Sequence, residues 1–324
     1  MIQATRRFVA TTDEVWRLQR GTDPECVFFQ EMAEHGHFGG KEGRSRQGIY
    51  VCSPSGKFLG SILSQRPDRV VEMLDDAWAR WEALPEVDRK LSAKSLILPK
   101  HRWEDSYPQN GLVLSMFTRD LPAQCDPSEE SRVKWNRDFV WFSAKEARQW
   151  LPEDPRAGDD WKLPVRLTSR LARFHLVDVV RGQTAPMRRN QVADSTIEIR
   201  VVARDEDRVQ LKITGRTKSD APGPSLKKLP GDRRGRYRGI DTAHGVHTQL
   251  LGSATFDLAA NKFTQFEVVA LGARWGKTRF NGRHRDAEIA SPVGFVLQLA
   301  SDKAPKVAPG FIAFYDAPWV KRPE

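Results

Sequence analysis

Long apolar runs are missing from this chain. No stretch of about 18 or more hydrophobic residues occurs, which excludes a transmembrane helix. Cysteine is scarce as well: the three are Cys26, Cys52 and Cys125. An odd number at wide spacing excludes a disulfide framework and leaves room for one pair or one reactive thiol. Complete catalytic signatures are also missing. There is no G-x-S-x-G nucleophile turn and no H-E-x-x-H zinc helix. Gly272-Ala-Arg-Trp-Gly-Lys-Thr278 resembles a phosphate loop but has three residues between its glycines where that motif has four. A polar stretch with a further glycine follows it instead of a helix, so no helix N-terminus meets a phosphate. Nucleotide hydrolysis is rejected on both grounds, and no cofactor motif is present. No repeat at a fixed period occurs. The opening MIQATRRFVATTDEVW carries arginines but no apolar core of a signal peptide, so a cytoplasmic location is expected.

What is present fits a folded protein of about two domains' length. Of 324 residues, 39% are hydrophobic and 29% charged, and ten Trp and sixteen Phe promise large buried areas. The net charge of +10 favours polyanions without specificity. Acidic residues run through the same segments, so a basic protein with well-solvated faces accounts for the charge as well as a nucleic-acid binder does.

Three regions follow from the pattern. Residues 1–92 read as α/β. Asp23-Pro24 starts a helix through CVFFQEMAEHG, and a glycine-rich loop follows. RQGIYVCSPSGKFLGSIL then forms two strands around a Pro-Ser-Gly turn. In the next helix Val70, Leu74, Trp78 and Trp81 make one apolar face at helical period. Residues 93–190 are a mixed α/β connecting region, with a strand at GLVLSMFTRDL, a capping box at Ser143–Glu146 and a helix after Pro164. Residues 191–324 are antiparallel β. Ile197, Ile199 and Val201, then Val209, Leu211 and Ile213, alternate with polar residues around an Asp-Glu-Asp turn. HTQLLGSATFDL and FTQFEVVAL make a second pair, and PVGFVLQLA and GFIAFY two further strands. Short turns between strands predict a sandwich or a partly open barrel. SDAPGPSLKKLPGDRRGRYR, residues 219–238, reads as a long loop. The fold class expected is α+β.

Cys26 is the leading chemical candidate. A thiol in the first helical turn faces unpaired amides and the positive end of the helix dipole, which favours the nucleophilic thiolate. The plainer account is a small apolar residue packed with Phe28 and Phe29. Cys52, on the hairpin, is the candidate resolving thiol. The order of a cysteine at a helix start, a loop, a hairpin and an amphipathic helix resembles a thioredoxin-like domain, with GIYVCSPSGKFLGSI and the helix over 67–84 similar to that family's closing hairpin and last helix. The likeness covers roughly the first quarter of the chain. That family's redox motif is C-x-x-C, whereas Cys26-Val-Phe-Phe29 stands here, and Gln47-Gly48 replaces its proline before the hairpin. The resemblance implies thiol redox chemistry at Cys26.

Two further constellations carry chemistry. Cys26, His35, His37 and Cys52 are atom types that zinc accepts, at a spacing no standard zinc motif uses. The stretch RWGKTRFNGRHR interleaves Arg274, Lys277, Arg279, Arg283 and Arg285 with Trp275 and Phe280, as single-stranded nucleic-acid sites do. Solvated loops anchored by their aromatics explain the same residues, and are the favoured account. His175, on an apolar helical face, reads as a satisfied helix histidine. The function expected is thus an atypical thiol-redox protein whose β region binds a ligand or partner. The alternative is a non-enzymatic ligand-binding or scaffold protein with a degenerate thioredoxin-like domain.

Overall fold

The computed structural model describes residues 2–13, 15–40, 45–64, 66–91, 102–121, 135–223, 242–278, 280–283 and 290–322. The chain divides into two compact units, Met1–Arg102 (with the last residues of the chain) and Trp103–Lys321.

The first unit opens with the short helices α1 (Ile2–Thr5) and α2 (Val15–Leu18) and continues into α3 (Pro24–His35). Asp23 caps α3 with its carboxylate and Pro24 takes the first helical position. Strands β1 (Ile49–Cys52) and β2 (Phe58–Ile62) pair antiparallel, with Tyr50 opposite Ser61, around a turn where Gly56 has φ 87°. Helix α4 (Pro67–Glu82) presents Val70, Leu74 and Ala77 to Val51 and Leu59. At Gly60 α4 packs closely on β2: a Cβ there would stand 3.2 Å from Met73 Sδ and 3.4 Å from the Ala77 methyl. Trp78 and Trp81 share the predicted face but sit at its half-buried rim. They stack on each other at 4.7 Å, with Arg7 over Trp78 and Arg89 over Trp81, where an indole keeps its apolar area covered and its edge wet. The turn α5 (Glu86–Arg89) follows.

The second unit is built on one antiparallel sheet of eight strands in the order β4-β3-β10-β9-β8-β7-β6-β5. These are β3 (Leu112–Asp120), β4 (Trp135–Phe142), β5 (Asp160–Lys162), β6 (Val192–Arg204), β7 (Arg208–Ala221), β8 (His244–Asp257), β9 (Lys262–Trp275) and β10 (Ser291–Leu299). The alternation predicted for β6 and β7 holds: Ile197, Ile199, Val201, Val209, Leu211 and Ile213 are all buried on one face. Of the sandwich or partly open barrel expected, the sandwich is corrected, since every described strand of this unit joins a single antiparallel sheet, not closed into a barrel, with edges at β4 and β5. Alternation reports that one face is buried and is silent on what buries it. Strands from the expected connecting region and from the expected C-terminal region lie in this same sheet, because β3 hydrogen-bonds β10.

Helical segments cover the inner face: α6 (Ala144–Ala147), α7 (Val165–Arg170) and a π-turn over Leu171–His175. Leu167, Leu171 and Trp150 fill the hollow, with Trp150 edge-on to Phe142 at 5.7 Å and to Phe266 at 5.1 Å. The predicted capping box is present, Glu146 N donating to Ser143 Oγ and Ser143 N to Glu146 Oε2. Glu146 is nevertheless buried, and accepts from Arg170, Arg166 and the Trp319 indole. Residues 310–315, predicted as a strand, instead make a 3-10 turn over Ile312–Phe314. Ile312 and Tyr315 there cover Val113, Phe139 and Trp141 on the outer face of β3 and β4.

Candidate functional site

Cys26 stands in the first turn of α3, as its sequence context predicts, but its sulfur is sealed. The residue has no exposed surface. Sγ lies 3.0 Å from Asp23 Oδ2 and 3.5 Å from the Arg17 carbonyl, and donates its single hydrogen to this pair of acceptors. Gly21 packs against it: a Cβ there would meet Sγ at 2.5 Å. Burial first, and the hydrogen bond to Asp23 second, push the thiol up to about 12, outweighing the nearby Arg17. The expectation of a stabilised thiolate at the helix start is therefore corrected. The N-cap carboxylate occupies the positive end of the helix and puts its own charge against the sulfur. Cys52 ends β1 with its side chain exposed, and neither cysteine is in a disulfide.

No group of three or more metal-binding side chains forms among the described residues. His37 has both ring nitrogens occupied. Nδ1 lies 2.9 Å from Ser61 Oγ and Nε2 3.1 Å from the Gln47 carbonyl, which ties the loop after α3 to the hairpin. His35 lies beside the Phe58 ring.

The predicted basic strip does not form one surface. The period of two along β9 turns Arg274 inward with Phe266 and Val268, and it is 2% exposed. Trp275 is half-buried with its ring 4.5 Å from that of His247. The Lys277 backbone is held by Thr242 Oγ1 at 3.0 Å. Arg279 and Arg285 lie outside the described residues, as do Cys125 and most of the loop predicted over 219–238. Arg283 is wholly buried, bonding both Asp120 and Asp178. The arginines that can be placed are thus structural cations more than phosphate ligands.

His175 is wholly buried, with Nε2 2.6 Å from Tyr315 Oη and Nδ1 3.9 Å from Asp138 Oδ2. Burial, helped by the Arg170 charge, lowers its pKa to about 3, so the ring is neutral. It is a packed pin between the π-turn and the C-terminal segment.

A concave apolar feature on the surface of the second unit was not anticipated. On the outer face two rows of side chains cross the strands. Leu271, Gly294, Arg119 and Trp135 are register neighbours on β9, β10, β3 and β4. Leu251, Val269, Val296, Phe117 and Arg137 form the adjoining row from β8 to β4. Between them lies a groove of about 300 Å³ with Leu121 at its margin. Gly294 is its floor, since the side chain it lacks would meet Leu271 and Leu121 at 3.3 and 3.4 Å. Trp135, Leu251 and Leu271 are 64%, 60% and 52% exposed. A signal did exist in the sequence: EVVALGA on β9 and VGFVLQL on β10 are apolar at consecutive positions, the mark of a strand apolar on both faces. No family model, curated protein or solved structure matches this chain.

Proposed function

We propose that the chain is a non-enzymatic binding protein, and that the groove on the outer face of its large sheet receives an apolar ligand. The observation that carries this is the groove itself: a concavity at the small end of the range used for ligands, walled by Phe117, Trp135, Leu271 and Val296, on a sheet face that antiparallel proteins ordinarily leave polar. The N-terminal unit serves as a scaffold. Its helix, hairpin and helix support kinship with a degenerate thioredoxin-like domain in which Cys26 packs instead of reacting. A sulfur deprived of solvent and bonded to a carboxylate speaks against the thiol-redox alternative.

Titration with Nile red, an uncharged apolar dye, tests the reading. Saturable binding with blue-shifted emission is expected, and Gly294→Val, which fills the floor, should weaken it at least about tenfold. Dye binding that is absent, or unchanged in Gly294→Val, overturns it.

A further inference from the structure

The groove is polarised, and its polarity specifies a head group. On the β9 side it is bounded by Val269 and Leu271, which carry no charge. At the other end β3 and β4 supply Arg119 and Arg137, both exposed. Arg137 lies over the Phe117 and Phe139 rings at 5.4 and 5.0 Å and donates to Ser115 Oγ. None of these contacts neutralises it. Arg119, beside the glycine floor and opposite Trp135, has no carboxylate partner among the described residues. Several exposed arginines of this unit are paired, as Arg200 is with Asp160 and Arg216 with Asp194. Arg119 and Arg137 thus place two guanidinium groups without a carboxylate partner among the described residues beside an apolar trough. Planar forks of N–H donors match a carboxylate in geometry and charge.

Resting on the binding function proposed above, we infer that the occupant is a single-chain alkyl carboxylate, its tail across Val269, Leu271 and Val296 and its head on Arg119 with Arg137 beside it. From β9 to β4 the trough crosses three interstrand spacings, about 14 Å in all, which suits an extended chain lying across the strands. Each buried methylene should raise affinity about three- to fourfold. The head group, on exposed cations, should add about tenfold at low salt and less at high salt.

The experiment titrates the full chain with dodecanoate, dodecanol and octanoate below their micelle concentrations, by displacement of Nile red, on the native protein, Arg119→Gln and Gly294→Val. Dodecanoate binding about tenfold tighter than dodecanol, the preference shrinking in Arg119→Gln and in salt, and octanoate binding weaker, is the expected result. Equal binding of dodecanoate and dodecanol, both blocked by Gly294→Val, overturns the carboxylate inference while the binding function stands. Failure of Nile red itself to bind overturns both. Concentration-dependent dimerisation in sedimentation, abolished by Gly294→Val, would assign the trough to a second copy of the chain and overturn the inference too.

Discussion

Cys26 and Asp23 are joined twice: the cysteine amide donates to Asp23 Oδ1 at 3.2 Å and the thiol to Asp23 Oδ2 at 3.0 Å. One carboxylate thus caps α3 and holds the thiol hydrogen. The bonds from Cys26, with Arg17 nearby, keep Asp23 below the usual carboxylate range despite its desolvation. A charge fixed at that point leaves no room for a second one on the sulfur.

The first prediction concerns that thiol. With Cys52 and Cys125 replaced by serine, Cys26 should react with a chromogenic disulfide at pH 8 more than about a hundredfold slower than a free thiol, whose pKa is about 8.5. Reactivity should return in denaturant. Asp23→Ala should cost about 0.5–2 kcal/mol through the lost cap and should raise thiol reactivity, because it removes an anion beside the sulfur. A drop in reactivity on that change would mean that Asp23 activates the thiol, and would restore the redox account.

A second prediction follows from His175. Its folded pKa of about 3 lies below the unfolded value of about 6.5, so the unfolded chain binds more protons between these limits. Stability contributed by the neutral ring is complete above about pH 6.5 and is lost as the pH falls toward 3. Asp138, held above the usual carboxylate range by burial, gives the opposite slope at the acid end of that window. The charged and titratable neighbours are Asp138, Arg170 and Tyr315. Urea unfolding at pH 7 and pH 4 should show a loss on the order of a few kcal/mol in the native protein and a smaller one in His175→Gln, where no ring titrates. Equal losses in the two would refute this linkage.

Some of this was legible in sequence and some was not, for identifiable reasons. The hairpin of β6 and β7 announces itself because Ile197, Ile199, Leu211 and Ile213 alternate with charges, and Asp23-Pro24 and Ser143–Glu146 mark their helix starts through short-range bonds. Strand β4 was missed. Its first residues, Trp135, Asn136 and Arg137, are exposed at a sheet edge, so the alternation that betrays a strand is blurred. Asn136 and Asp138 bond the amides of Arg137 and Phe139, and thereby blunt that edge. GFIAFY was misread because its apolar residues serve a turn packed on Trp141, and periodicity over so few positions does not separate the two. At the candidate sites the position of Cys26 was readable but not its burial. Arg119 and Leu271 are far apart in the chain, and only the strand order brings them to one groove.

The last prediction tests a long-range tie of the same kind. Arg283 is buried and donates to Asp178 at 2.7 and 2.9 Å and to Asp120 at 2.6 and 2.8 Å, while Arg181 reaches Asp120 as well. It joins the loop after β9 to the end of β3 and to the chain beyond the π-turn. Two carboxylates around one guanidinium raise the arginine's pKa and, through Arg283 and Arg181, keep Asp120 below the usual range despite its burial. Replacing the arginine leaves Asp178 with only the Asn281 amide and Asp120 with only Arg181, in a largely buried site. Arg283→Met should therefore cost about 3–5 kcal/mol in urea unfolding. Arg200→Ala, which breaks the exposed pair with Asp160, should leave the midpoint unchanged within error. The triple change Arg283→Met, Asp120→Asn, Asp178→Asn should recover much of the loss, since the penalty lies in unpaired charge and not in missing volume. If the triple variant is no more stable than Arg283→Met alone, packing by the arginine stem holds the loop, and the charge arrangement is secondary.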